Sequence, residues 1–183
     1  MRRLLLLLLV LLLICLLLFA AGVVDLGLFR WPVKTFRDRD RGRVRMEPVD
    51  TTVAALTRLP RPPNGSFHGL RRIAPEELAV YRVRAKLKRI LDGTDGDIHL
   101  ILADPADPSR TMIAEIPNPL FAVGSGFGSV FSAERTEMRR HPRARGEMVE
   151  VIGIGFFDYY TGGRTTNGFE LHPVIGLKFL NER

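Results

Sequence analysis

The sequence predicts an all-β domain with one helix: a five-stranded OB-like Greek-key barrel, β-β-β-α-β-β, behind an N-terminal apolar helix. Three observations predict it. Short runs with period-two alternation follow one another after Ile73, as half-buried strands require. Clusters of Gly, Asp and Pro separate them. A single stretch of helix formers falls between the third run and the fourth, its place in an OB-type barrel. An open α+β sheet with the helix on one face is the alternative architecture.

Met1-Arg2-Arg3 precedes an uncharged run from Leu4 to Val24. At ~1.5 Å per residue such a helix reaches ~30 Å, the thickness of a bilayer core. A signal-peptide apolar region is only ~7–15 residues long, so residues 1–24 read as a retained anchor. Ala20-Ala21-Gly22 supplies a cleavage site for the competing signal-peptide reading. The expected location is the cytoplasmic membrane, single-pass, with the C-terminal domain extracytoplasmic, or a secreted or periplasmic form if the segment is cleaved. The basic residues from Arg30 to Arg45 pull the other way, because flanking positive charge prefers the cytoplasm. The only cysteine, Cys15, lies inside the run. The remainder therefore has no disulfide, thiolate nucleophile or Cys-based zinc site.

Residues 25–72 read as a basic, Pro-rich tether. FRDRDRGRVR mixes charges without apolar periodicity, and LPRPPNGSFHG resists helix and sheet alike. The barrel is expected over 73–183. In VYRVRAKL, Tyr81, Val83, Ala85 and Leu87 alternate with Arg82, Arg84 and Lys86, giving the first strand. The turn DGTDG leads into the second, DIHLILA, and a Pro-rich turn leads into the third, TMIAEI. SVFSAERTEMRRH suits a capped helix opening at Ser129. EMVEVIGIGFFD is the fourth strand, with Gly153 and Gly155 permitting strong coiling, and GFELHPVIGLKFL the fifth, bent at Pro173.

Asp97 and His99 are two apart and share one face of the second strand; Glu170 and His172 share one face of the fifth. Both pairs follow turns, which places them in a single expected site outside the core. Imidazole nitrogens with carboxylate oxygens suit zinc, manganese or iron. They equally suit a general base whose ring an acid orients. The expected catalytic residues are Asp97, His99, Glu170 and His172. The expected metal ligands are these four with Glu115, an acid inside an apolar strand that needs a partner. A divalent metal is the cofactor this set implies. The competing reading is that polar residues simply occupy the wet face of half-buried strands. His68 and His141 read as solvated loop residues.

The chain of 183 residues carries a net charge of +7, a balance that favours anionic partners. Arg82, Arg84, Lys86 and Lys88 form a basic stripe along one strand face. With Arg110 they are the expected ligand-binding residues, able to follow a phosphodiester backbone, although stacking aromatics are not interleaved among them. The glycine-rich VGSGFGS lacks the lysine of a phosphate-binding loop, and DGTDGD lacks calcium-loop spacing.

Ile90 to Asn118, with Asp95-Gly96-Asp97, Arg110, Glu115 and Pro117, resembles the staphylococcal-type thermonucleases. That resemblance implies an OB barrel in which Asp97 and Glu115 bind calcium and Arg110 grips a phosphate. Asn118 stands where that family has its catalytic glutamate. DGD-x-HL together with NG-x-ELHPV also resembles small exported bacterial domains. Two functions follow as expectations: a membrane-tethered extracytoplasmic module binding an anionic ligand or polymer such as nucleic acid, or a metal-dependent phosphodiesterase or nuclease-like hydrolase. A structural envelope protein is a third.

Overall fold

The computed structural model describes residues 2–20, 30–67, 69–141, 144–159 and 164–180, with side chains described from Arg3 to Leu17 in the first segment. In chain order the elements are α1 (Arg2–Ala20), α2 (Trp31–Lys34), β1 (Arg45–Thr51), α3 (Val53–Leu56), β2 (Ala79–Asp92), β3 (Ile98–Ala103), β4 (Thr111–Ile116), α4 (Gly128–Arg140), β5 (Met148–Phe157) and β6 (Phe169–Leu180). The sheet order is β1-β2-β3-β4-β6-β5, and a β2–β5 pairing closes the last five strands into a barrel. β4 and β6 pair in parallel, while the other barrel neighbours are antiparallel. With α4 between β4 and β5, the barrel is OB-like, as the strand and helix pattern implies.

Alternation decides what fills the barrel. Val83, Ala85 and Leu87 of β2, Leu100 and Leu102 of β3, Met112, Ala114 and Ile116 of β4, Val149 and Val151 of β5, and Phe169 and Leu171 of β6 form one buried cluster. Phe131 and Met138 are the buried residues of α4, two helical turns apart and so on one face. Met138 joins the barrel core. The helix starts at Gly128 without a side-chain cap, so the cap expected at Ser129 does not form. Gly155 has a second use besides coiling: a Cβ there would collide with the Glu76 carbonyl oxygen and come within 2.9 Å of the Phe169 and Tyr81 rings.

The described part of 25–72 is not a tether. Residues 45–51 add a sixth strand, parallel to β2; it is an edge strand, which tolerates Pro48. Residues 30–44 form a strap across the outside of the barrel, with Arg30, Val33, Asp38, Asp40 and Val44 buried. Val44 packs with Val80 and Ile154 in a small outer cluster that Phe36 also touches. The two acids of the mixed-charge run are not solvated but paired. Arg72 meets Asp38 at 2.9 Å, and Arg71 meets Asp40 at 2.6 Å. Arg30 and Phe36 both sit at φ 55°, a conformation unfavourable for non-glycine residues that persists only where surrounding contacts enforce it.

The enforcing contact is a buried ion pair. Arg30 donates to both oxygens of Glu77, at 3.0 and 2.7 Å, and to the carbonyls of Phe157 and Arg71. Glu77 also accepts from the backbone N–H groups of Phe157 and Ile73. In α1 the leucines described are exposed. Among the described residues no helix is long and apolar enough to cross a membrane; residues 21–24 of the apolar run lie outside them.

Removing one partner of a buried pair strands the other charge, at a cost of about 3–5 kcal/mol. Glu77→Ala is therefore expected to destabilise the chain by that amount in chemical unfolding. A loss below about 1 kcal/mol, the range of an exposed pair, would contradict the role given to this contact.

Candidate functional site

The outward positions of β3, β4 and β6 carry the polar residues singled out in the sequence. His99 lies directly opposite Glu115 across the antiparallel β3–β4 ladder. The parallel β4–β6 ladder pairs Ile113 with Glu170, so the next same-face positions, Glu115 and His172, also fall side by side. Asp97, just before β3, shares the parity of His99 and completes the group.

The two histidines therefore meet in one site, and Glu115 joins them. Its Oε1 is 3.4 Å from His99 Nδ1 and its Oε2 is 2.9 Å from His172 Nδ1. His172 Nε2 is 3.4 Å from Asp97 Oδ2. Asp97 is also fixed by the backbone, because Oδ1 accepts from Asn118 N–H at 2.7 Å. Asp97, Glu115 and His172 each offer a ligand atom within 4.8 Å of the others'. Glu170, next along β6, has its carboxylate buried beside them.

The expectation of a wet strand face is corrected. Exposure is 0% for His172, 1% for Glu170 and 3% for Glu115, because the strap lies over this side. Lys34 of α2 reaches in and binds Asp158 at 2.9 Å. The Arg30 guanidinium lies over the Phe156 ring at 4.7 Å, and Phe156 in turn meets the His172 ring edge-on at 5.6 Å. Beside Asp97 lies a cavity of about 10 Å³ lined by Trp31, Lys34, Thr35, Asp95, Asp97, Asn118 and Phe121. That is room for about one water molecule. A phosphodiester does not fit that cavity.

The electrostatics follow from burial opposed by close charge. Burial alone would lower the His172 pKa, but Glu115 and Asp97 outweigh it and raise it to about 9. Burial would raise Glu115; His172, with Lys34 and His99, instead lowers it to about 2. Burial first, then Glu115 and Asp158, push Glu170 well above 4.5 against the pull of Lys34 and Arg164. Burial opposes the charge of Lys34, but Asp158 foremost, then Glu115 and Glu170, hold it above its ordinary value. The His172 contacts are close enough for attraction, yet their angles miss hydrogen-bond geometry. Both ring nitrogens, Glu115 Oε2, Glu170 Oε2 and His99 Nε2 are buried without a hydrogen-bond partner.

Other expected residues separate from this group. Arg110 pairs with Asp107 at 3.1 Å. It precedes β4 and stands five positions from Glu115, about 17 Å along an extended strand, so it does not join Asp97 and Glu115. In the basic stripe, Arg82 bonds Asp50 at 2.8 Å and Arg84 bonds Glu150 at 3.0 Å. Lys86 and Lys88 form no ion pair among the described residues. They border a cleft of about 300 Å³ with Leu87, Ala103, Pro108, Arg145 and Gly146. His141 is not simply solvated: it stacks on Phe179 at 3.7 Å and approaches Glu137 at 3.2 Å. His68 lies outside the described residues. Lys34 and Arg145 go unrecognised in the sequence. The one signal for Lys34 is its place between Val33 and Phe36, the sparse apolar residues of a charged stretch.

No protein-family model matches the chain, and no curated protein matches it. Among solved structures it is similar to Entamoeba histolytica asparaginyl-tRNA synthetase (AsnRS), with a TM-score of 0.42 and 14% identity, over 75% of this chain and 24% of that one. The chain thus spans about a quarter of that protein's length.

The pKa directions set a pH dependence. A raised histidine stabilises fully below its unfolded value of 6.5, and that contribution is lost as pH rises through about 9. A lowered Glu115 stabilises above 4.5 and loses this as pH falls through about 2. Glu170 acts oppositely: its buried neutral form costs stability once pH exceeds 4.5. With chelator present, the melting temperature should peak on the acid side of neutrality and fall between pH 6.5 and 9. His172→Gln should flatten that alkaline limb; a limb unchanged by the substitution would contradict the assignment.

Proposed function

We propose that the chain is an OB-like module that binds an anionic polymer through the outer end of β2, held at the cytoplasmic membrane by its N-terminal apolar segment with the barrel on the extracytoplasmic side. One observation carries the binding reading. Of the four cations in the stripe, the two nearest β1 pair with Asp50 and Glu150, whereas Lys86 and Lys88, beside the cleft, have no ion pair among the described residues. Arg145 adds a third cation from the loop before β5. Three cations around a concave surface match successive negative groups along a chain. The cleft has no aromatic lining residue, so it lacks the platforms on which single-stranded bases stack. Recognition is therefore of backbone charge, independent of sequence, and weakens with salt. The net charge of +7 acts in the same direction by steering polyanions to the surface. The apolar run from Leu4 to Val24 supports the membrane placement. A hydrolase reading has less support, because Glu115, Glu170 and His172 are buried.

Binding of the detergent-solubilised full chain to heparin and to a fluorescent single-stranded oligonucleotide, at rising salt, tests both the surface and the ligand class. Lys86→Glu with Lys88→Glu should weaken both at least about tenfold and flatten the salt slope. Arg82→Glu should change little. No retention of the wild-type chain at low salt would end the binding reading, and protection of a C-terminal tag in intact spheroplasts would end the orientation.

A further inference from the structure

We propose that Asp97, Glu115 and His172 form a binding site for one divalent transition-metal cation, zinc or manganese, sealed beneath the 30–44 strap and distinct from the polyanion cleft. The argument begins with charge. Asp97 and Glu115 bring two negative charges into a site where exposure is 8% or less for every member of the triad. Lys34 bonds Asp158 and neither of these two acids. Buried carboxylates need positive charge beside them, and one divalent ion between Asp97 and Glu115 supplies it.

The second argument is geometric and independent of charge. His172 is fully buried and neither ring nitrogen has a hydrogen-bond partner, nor has Glu115 Oε2. Buried histidines normally satisfy at least one nitrogen. Here both lie close to carboxylate oxygens, at 2.9 and 3.4 Å, without hydrogen-bond geometry. Two ligands about 2.1 Å from a tetrahedral ion lie about 3.4 Å apart. The three ligand atoms, all within 4.8 Å of one another, need only small adjustments to reach that spacing. One His172 nitrogen can take the ion while the other faces the second acid, the arrangement that fixes ring orientation in metal sites.

Ligand type and space choose the ion. A nitrogen with two carboxylate oxygens suits zinc or manganese. Calcium wants six to eight oxygen ligands, which a cavity of about 10 Å³ beside Asp97 does not supply. That cavity does hold about one water, enough for a fourth ligand. His99 Nδ1, 3.4 Å from Glu115 Oε1, holds the other side of the acid. The cavity wall includes Trp31, Lys34 and Thr35 of the strap, so the ion is enclosed by the segment that joins the barrel to the N-terminal helix.

The test uses the full chain in mild detergent. Metal content is measured by inductively coupled plasma mass spectrometry, first as purified and then after chelation. Zinc chloride and manganese chloride are then titrated by calorimetry and by thermal shift. The expected result is one ion per chain and a raised melting temperature on re-addition. Asp97→Asn keeps the carboxylate's shape at the edge of the cluster, where folding tolerates it. It should weaken binding by more than about tenfold, the low end of what losing even an outer partner costs, while the metal-free melting temperature and circular dichroism stay near wild type. His172→Gln should do the same to affinity. Wild-type protein that takes up neither cation stoichiometrically would overturn the site, as would an Asp97→Asn chain that binds with wild-type affinity, because the ion would then be held elsewhere.

Discussion

Arg30 and Glu77 meet with 2% and 0% side-chain exposure, and the outer face of the barrel depends on that pair. Desolvating two such charges is repaid only when the geometry is good and every remaining lone pair is used. Both conditions hold around Glu77, whose oxygens accept two guanidinium bonds and two backbone N–H groups. These bonds tie three segments to one carboxylate: the start of the strap, the chain entering β2 and the end of β5. Once Arg30 is fixed, the single turn of α2 is delivered over β5 and β6, and Lys34 arrives beside Asp158.

The consequence is a barrel with two buried sides. Inside, alternating apolar residues fill it in the ordinary way. Outside, the opposite parity of β3, β4 and β6 carries Asp97, His99, Glu115, Glu170 and His172, and the strap removes these from water. Low dielectric makes each contact among them stronger and each unmet one more costly. The group behaves as a unit, in which His172 lowers the Glu115 pKa against the effect of burial, while burial and the neighbouring acids raise that of Glu170. The exposed basic end of β2 is a different surface with a different chemistry, and nothing in the fold requires the two to act together.

Strand parity was legible in the sequence. Residues two apart share a face, and the strand order follows from turns and the position of one helix, so the meeting of His99 with His172 could be reasoned from spacing. Burial could not. A polar residue on a strand's outer parity reads as solvated unless a covering element is known, and the cover here is RWPVKTFRDRDRGR, a stretch whose apolar residues are too sparse to show a period. Its charges look like solvent-facing repulsion because their partners are distant: Asp38 meets Arg72 and Asp40 meets Arg71, more than thirty residues away. The same reasoning explains β1, whose RMEPVDT has neither alternation nor a strand-forming composition. It is an edge strand fixed by pairing to β2. In the basic stripe, the sequence shows four equivalent cations, and only the neighbouring strands distinguish the two that Asp50 and Glu150 neutralise.

The central claim is that residues 30–44 are a docked part of the barrel rather than a spacer. Hydrogen–deuterium exchange on the full chain tests it directly, comparing peptides from 30–44 with peptides from β6. The account predicts that strap amides, including Val33, Lys34 and Asp38, whose N–H groups are bonded within the strap, exchange on the slow timescale of the β6 ladder. Exchange complete within seconds, as in an unstructured linker, would contradict it and leave the acid–histidine group exposed to solvent.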